Sequence, residues 1–313
     1  MRWFFSLVFF IATSALAQYP SKPIRVLVPF GAGSSTDIVM RILAQPLSQS
    51  LGQPVVVENK PGADGAIAAA EVAKAAPDGH TLLLATNSPL SAAPHLRKLP
   101  YDALADFTPI SLVGNYTFFV LVHPSVPARN LAELITYARA NPGKLNYGTG
   151  NTSGIVMTAM LASQAGIDLV HVPYKSEPPA ITDLLSGNIQ VMISSYATVA
   201  PHLREGRLRA LVTTLPNRSP LMPEVPAIVE AGFPKFSVSP WAGMFGPARM
   251  PREITERLNR ELNALVGRQE VRDSLLRQAF DPKGSRLDEF AAYVRAQYDI
   301  WGRAIREAGI QPE

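Results

Sequence analysis

Short apolar runs alternate with stretches of helical period along most of this chain. "IRVLVPF" (24–30) reads as a buried strand, and "STDIVMRILAQPLSQSLG" (35–52) as a helix stopped by Gly52. "PVVVEN" (54–59), a helix over 63–77 and "TLLLATN" (81–87) continue the series. "FTPISLVG" (107–114) and "YTFFVLVHP" (116–124) are two further strands, followed by a helix from the Asn130 cap to Gly143. The pattern then runs "LNYGTG" (145–150) into a helix at 153–166, "LVHVPYK" (169–175) into 178–188, "IQVMISS" (189–195) into 196–206, and closes on "LRALVTT" (208–214). Strands alternating with helices of this length predict βαβ units and parallel sheets. After "WAGMFGPARM" (241–250) the period becomes helical, over 251–267 and 286–308.

Two segments break the alternation. "LVGNYTFFVLVHPSVP" (112–127) and "FSVSPWAGMFGP" (236–247) read as extended crossovers between two α/β lobes. The predicted fold class is therefore α/β with two lobes joined by two crossover strands. One lobe is expected to take 18–118 and 239–313, the other 119–238.

The first residues change the setting. Arg2, the apolar run "WFFSLVFFIATSA" and the small-x-small site Ala15-Leu16-Ala17 predict a secretory signal peptide over 1–17, cleaved after Ala17. The apolar run is shorter than the roughly 20 residues that span a bilayer. The chain has no cysteine, so disulfide and thiol chemistry are excluded. An exported chain of this size without disulfides points to a bacterial periplasm. Net charge is +4, with Lys and Arg scattered and no basic run interleaved with aromatics, so no nucleic-acid partner is expected.

The candidate chemistry lies where strands end. "VPFGAGSSTD" and "NYGTGNTSG" share one plan: strand, G-x-G, hydroxyl or amide residues, helix. The C-terminal ends of parallel strands are where ligands sit in such sheets. A helix start there carries unpaired N–H groups and about half a positive charge. Two such starts, at 31–37 and 148–154, would face one another across a cleft and suit a molecule with two carboxylates. Candidate ligand-binding residues are Phe30, Gly33, Ser34, Ser35 and Thr36 in the first loop. The second loop offers Thr149, Gly150, Asn151, Thr152 and Ser153. Other strand ends add Asn87, Tyr174, Ser194 and Ser195. Asp37 and Arg41, four residues apart, read as a structural pair. Catalytic readings find little: there is no G-x-S-x-G elbow, no H-E-x-x-H and no zinc spacing among the five histidines. "GAGSST" has no P-loop lysine and no third glycine, so neither a catalytic residue, a metal nor a cofactor is expected.

Longer stretches carry a resemblance. "YPSKPIRVLVPFGAGSSTD", "LGQPVVVENKPGADG", "KLNYGTG", "VHVPYK", "RSPLMPEVPAIVEAGFP" and "EFAAYVRAQYDIWGRAIREAGI" resemble, in order and over the whole chain after the signal peptide, the Bug family of periplasmic solute receptors. The resemblance implies a type 2, Venus-flytrap periplasmic binding protein, monomeric, serving the membrane subunits of a tripartite tricarboxylate transporter. It implies a small-molecule carboxylate ligand gripped by the loops at 31–37 and 148–154. A sensory receptor feeding a two-component signalling system is the alternative. Three positions depart from the family pattern: Ser34 replaces a glycine, Ile155 a histidine, and Ser194 an aspartate. A pocket without that acid offers nothing to balance a buried ammonium group. The expected ligand is therefore a dicarboxylate without an amine, with an aromatic spacer allowed.

Overall fold

The computed structural model describes residues 19–236 and 238–312; the expected signal peptide lies outside them. Among the described residues no helix is long and apolar enough to cross a membrane.

The chain builds two sheets. Strands β1 (Ile24–Val28), β2 (Val55–Asn59), β3 (Thr81–Thr86), β4 (Phe107–Tyr116), β10 (Trp241–Pro247) and β11 (Phe280–Pro282) form a six-stranded sheet in the order β11-β4-β10-β3-β1-β2. Strands β5 (Phe118–Val122), β6 (Asn146–Thr149), β7 (Val170–Pro173), β8 (Val191–Ser195) and β9 (Arg209–Thr213) form a five-stranded sheet in the order β7-β6-β8-β5-β9. Helices α1 (Ser35–Leu51), α2 (Ala66–Ala73), α7 (Arg252–Gly267), α8 (Gln269–Leu276) and α9 (Leu287–Glu307) belong with the first sheet in sequence. Helices α3 (Leu131–Ala140), α4 (Thr152–Ala165), α5 (Glu177–Ser186) and α6 (Tyr196–Arg204) alternate with the strands of the second.

The expectation of parallel sheets holds for only part of each. β1 pairs in parallel with β2 and β3, and β6 with β7 and β8. β10 runs antiparallel between β3 and β4, and β5 antiparallel between β8 and β9. Direction of entry explains this. A crossover strand comes from the other lobe, so it enters at the edge where the parallel strands finish and must run against them. Thr117 alone separates β4 from β5. The two crossings lie side by side there: Tyr116 N–H donates to the Pro240 carbonyl at 2.9 Å, and Thr117 N–H to that of Ala279 at 2.9 Å.

Two other differences have local causes. The helix expected over 63–77 is a 3-10 turn, Ala63–Gly65, followed by the shorter α2, because Asp64 (φ 53°) and Gly65 (φ 92°) adopt left-handed backbone. α8 and β11 were not read from the pattern; β11 has three residues, too few to show a period.

α1 shows how pattern becomes packing. Its Val39, Met40, Leu43, Leu47 and Leu51 recur on one face and are buried, and Gly52 ends the helix with φ 74°. On the opposite side of the sheet, Trp241, Phe245 and Phe290 meet with ring centroids 5.0–6.2 Å apart. Gly243 on β10 admits the Phe290 ring: a Cβ there would lie 2.1 Å from Phe290 Cζ. Phe290 is fully buried and anchors α9 to the sheet. Phe290→Ala should lower the free energy of unfolding by about 3–5 kcal/mol, measured by urea titration; a loss under 1 kcal/mol would show that α9 is not anchored through this ring.

Candidate ligand site

The first loop is held from below. Gly33 turns the chain at φ 77°, and Ser34 caps α1 by accepting a hydrogen bond from Asp37 N–H at 3.4 Å. Asp37 accepts from Gly33 N–H at 2.9 Å, from Arg41 Nε at 3.0 Å and from Asn59 Nδ2 at 2.9 Å. Asn59 Nδ2 also donates to the Phe30 carbonyl at 3.0 Å. Burial pushes the Asp37 carboxyl up, but these hydrogen bonds outweigh it and hold the group below the usual aspartate value. Asp37 thus shapes the loop, as its pairing with Arg41 suggested.

The second loop meets the first lobe directly. Asn151 caps α4 by accepting from Gly154 N–H at 2.9 Å. Ser153 Oγ accepts from Asn87 Nδ2 at 2.6 Å and lies 3.1 Å from Ser88 Oγ. Asn87 Oδ1 accepts in turn from Trp241 N–H at 3.3 Å, which ties this contact to the second crossover. Tyr116 of the first crossover donates its hydroxyl to Thr36 Oγ1 at 3.1 Å.

A narrow cavity of about 20 Å³, room for about one water molecule, lies between these groups. Of the residues singled out in the sequence, Phe30, Ser34, Ser35, Thr36, Asn87, Asn151 and Ser153 line it. Gly33, Thr149, Gly150, Thr152 and Tyr174 are not among its lining residues. The Thr149 hydroxyl pairs with His171 Nε2 at 2.6 Å. The Thr152 hydroxyl is buried and has no hydrogen-bond partner among the described residues. The Tyr174 hydroxyl donates to Asp183 Oδ2 at 2.5 Å. The lining also includes Tyr116, Phe118 and Pro240, all at the crossing of the lobes. Periodicity marks those three as strand or link residues without showing that the crossing itself forms a wall.

The largest surprise is Glu177. It is the first residue of α5, 3 % exposed, and lines the same cavity. The expectation that Ser194 leaves the pocket without an acid is therefore incorrect: Glu177 supplies one from a different loop, beside Ser194. Its Oε1 accepts from Ser194 Oγ at 3.2 Å, and its Oε2 from Ser35 Oγ at 3.2 Å and Ser195 Oγ at 3.4 Å. Ser194 and Ser195 reach the cavity through this carboxylate. Burial pushes the Glu177 carboxyl above the usual glutamate value; the hydroxyls of Ser194 and Ser35 and the N–H groups of Ser35 and Ser195 oppose that only in part. An acid at a helix start is ordinary first-turn chemistry, so the residue type alone gives no sign of a ligand-site role. The usable signal was its place after a third strand, β7, whose end faces the same cleft.

Gly150 makes this position possible. A Cβ on it would lie 2.3 Å from both Ser176 C and Glu177 N. The start of α5 therefore packs directly against the second loop. Among the described residues lining the cavity, Glu177 carries the sole formal charge, with no lysine or arginine, and no group of side chains is arranged to hold a metal ion.

Comparison with known proteins agrees with this architecture. Residues 39–310 match the model of the tripartite tricarboxylate transporter family receptor. The chain belongs to this family, in its Bug branch. BugT of Bordetella pertussis is 34 % identical over 310 residues, covering 96 % of this chain and 95 % of BugT. The solved structure of R. palustris Rpa4515 with adipate superposes with a TM-score of 0.91 at 31 % identity, covering 94 % of this chain and 100 % of that one. MatC from Rhodopseudomonas palustris with bound malate gives 0.85 at 31 %, covering 92 % and 100 %. The family consists of periplasmic solute-binding receptors.

The two buried acids should respond oppositely to pH. Asp37, depressed in the folded state, contributes stability above the usual aspartate value and loses it as pH falls through its folded value. Glu177, raised in the folded state, contributes stability that is complete at low pH and is lost as pH rises from about 4 through its folded value. Thermal melts between pH 3 and 8 should show the deficit of Asp37→Asn shrinking toward acid. The balance between wild type and Glu177→Gln should move toward the variant as pH rises. Parallel curves for all three would mean that neither carboxyl is perturbed by folding.

Proposed function

We propose that this chain works in the periplasm as the solute receptor of a tripartite tricarboxylate transporter, capturing a small organic carboxylate for the transporter's membrane subunits. The observation that carries this reading is the cavity where the starts of α1 and α4 meet, lined by Ser34, Asn87, Asn151 and Ser153. Hydroxyl and amide donors at two helix starts are what a carboxylate needs on leaving water. Phe30, Phe118 and Pro240 supply apolar walls for the rest of the molecule. The relatives solved with adipate and malate support the ligand class. The receptor acts as a monomer, without a cofactor and without a covalent step.

In this reading residues 18–118 with 239–313 form one lobe and 119–238 the other. They move by bending at the crossovers, where Thr117 is the single link between β4 and β5. Ligand binds the closed form better and so selects it. The preference for two carboxylates and no amine assumed a pocket without an acid. With Glu177 in place, the reading requires one carboxylate on the ligand.

A thermal-shift screen tests it. A bound acid at about 100 times its dissociation constant adds roughly 2.7 kcal/mol of stability. Organic acids should raise the melting temperature while sugars and basic amino acids leave it unchanged. Ser153→Ala should weaken the best acid by about ten- to a hundredfold, the loss of one hydrogen bond to a charged group, and should also make the free protein about 1–3 kcal/mol less stable, because buried Asn87 Nδ2 loses its partner. A shift with sugars and none with any acid would overturn the reading.

A further inference from the structure

The Glu177 carboxylate is bound as a ligand carboxylate would be. Three hydroxyls donate to it, from Ser35, Ser194 and Ser195. The backbone at Ser35 and Ser195 also favours its charged form. A carboxylate offers about four lone-pair positions, so most of this one's are taken. Ser35 opens α1 and Ser195 caps α6, so the group sits where the positive ends of two helices converge. One of those helices belongs to each sheet's part of the chain. The backbone beneath it has no room to withdraw toward the second loop, because α5 starts against Gly150.

We propose that Glu177 is a specificity-determining residue: its carboxylate occupies the anion position at the start of α1, so the receptor accepts acids with a single carboxylate. This inference rests on the carboxylate-receptor reading and narrows it. The position left for the ligand's own carboxylate is the start of α4, among Asn87, Ser88 and Ser153. The remainder of the ligand then lies against Phe30, Phe118 and Pro240. A diacid would bring its second charge toward a buried carboxylate with no cation among the described lining residues to offset either. The cost of placing like charges together away from water sets the discrimination.

Matched acids of equal carbon skeleton test the proposal: hexanoate with adipate, butyrate with succinate, benzoate with terephthalate. Each pair is titrated calorimetrically into the wild type, Glu177→Gln and Glu177→Ser, and free melts verify that every variant is folded. Wherever a pair binds the wild type, the monoacid should bind at least about tenfold more tightly than the diacid. Both variants should shift that ratio toward the diacid by about ten- to a hundredfold, since one or two charge-assisted hydrogen bonds become available. The Gln variant keeps the volume, which separates charge from space. Diacids preferred by the wild type, or a ratio unchanged in both variants, would overturn the role of Glu177 and leave the carboxylate reading standing. Failure of every acid to bind all three proteins would overturn both.

Discussion

The first turn of an α-helix leaves backbone N–H groups without partners, and the cleft is organised around that deficit. Parallel strands deliver the starts of α1, α4, α5 and α6 to the same side of their sheets. Ser34 and Asn151 satisfy part of the deficit as caps, each accepting from an N–H three residues on. Of the other first-turn donors, Ser153 N–H reaches across to Ser88 Oγ at 3.3 Å. Asp37 holds the first of these loops in shape from outside the cavity, through Gly33, Arg41 and Asn59. In the proposed function, recognition of an anion would therefore rest first on the backbone, with the side chains at 34–35 and 151–153 refining it.

Much of this was legible. Period and capping located α1, α3, α4, α7 and α9 to within a few residues, because each has an apolar stripe and a clear start or stop. The paired loops at 31–37 and 148–154 stood out because glycine and hydroxyl residues followed a strand twice. Six residues named on that basis, and Asn87 from another strand end, line one cavity. What the sequence did not reveal depends on direction and on third partners. Nothing in "WAGMFGP" says that β10 runs against its neighbours; that follows from where the chain enters the sheet. Tyr174 follows a strand end as Asn87 does, yet its hydroxyl is taken by Asp183, nine residues later on α5.

Glu177 shows the same limit more sharply. Its partners, Ser35, Ser194 and Ser195, lie up to 142 positions away. Composition at 176–179 suggests a helix start and nothing more. Only the fold brings three hydroxyls to one carboxylate, and only Gly150 lets the helix start come that close.

The crossing of the chain has a consequence for assembly. Every strand of the second sheet is contained in residues 118–213, a continuous stretch. The first sheet is split: β3 and β4 have β10 between them, and β10 begins at Trp241. As the chain emerges from its N-terminus, the middle lobe can complete its hydrogen bonding while β3 and β4 still present open edges. Those edges stay unpaired across more than 120 residues of intervening chain, from Tyr116 to Trp241. Contacts of that sequence separation form slowly, and unpaired strand edges invite association with other chains. The crossing therefore leaves the first sheet to be completed only after the second is wholly available in the chain.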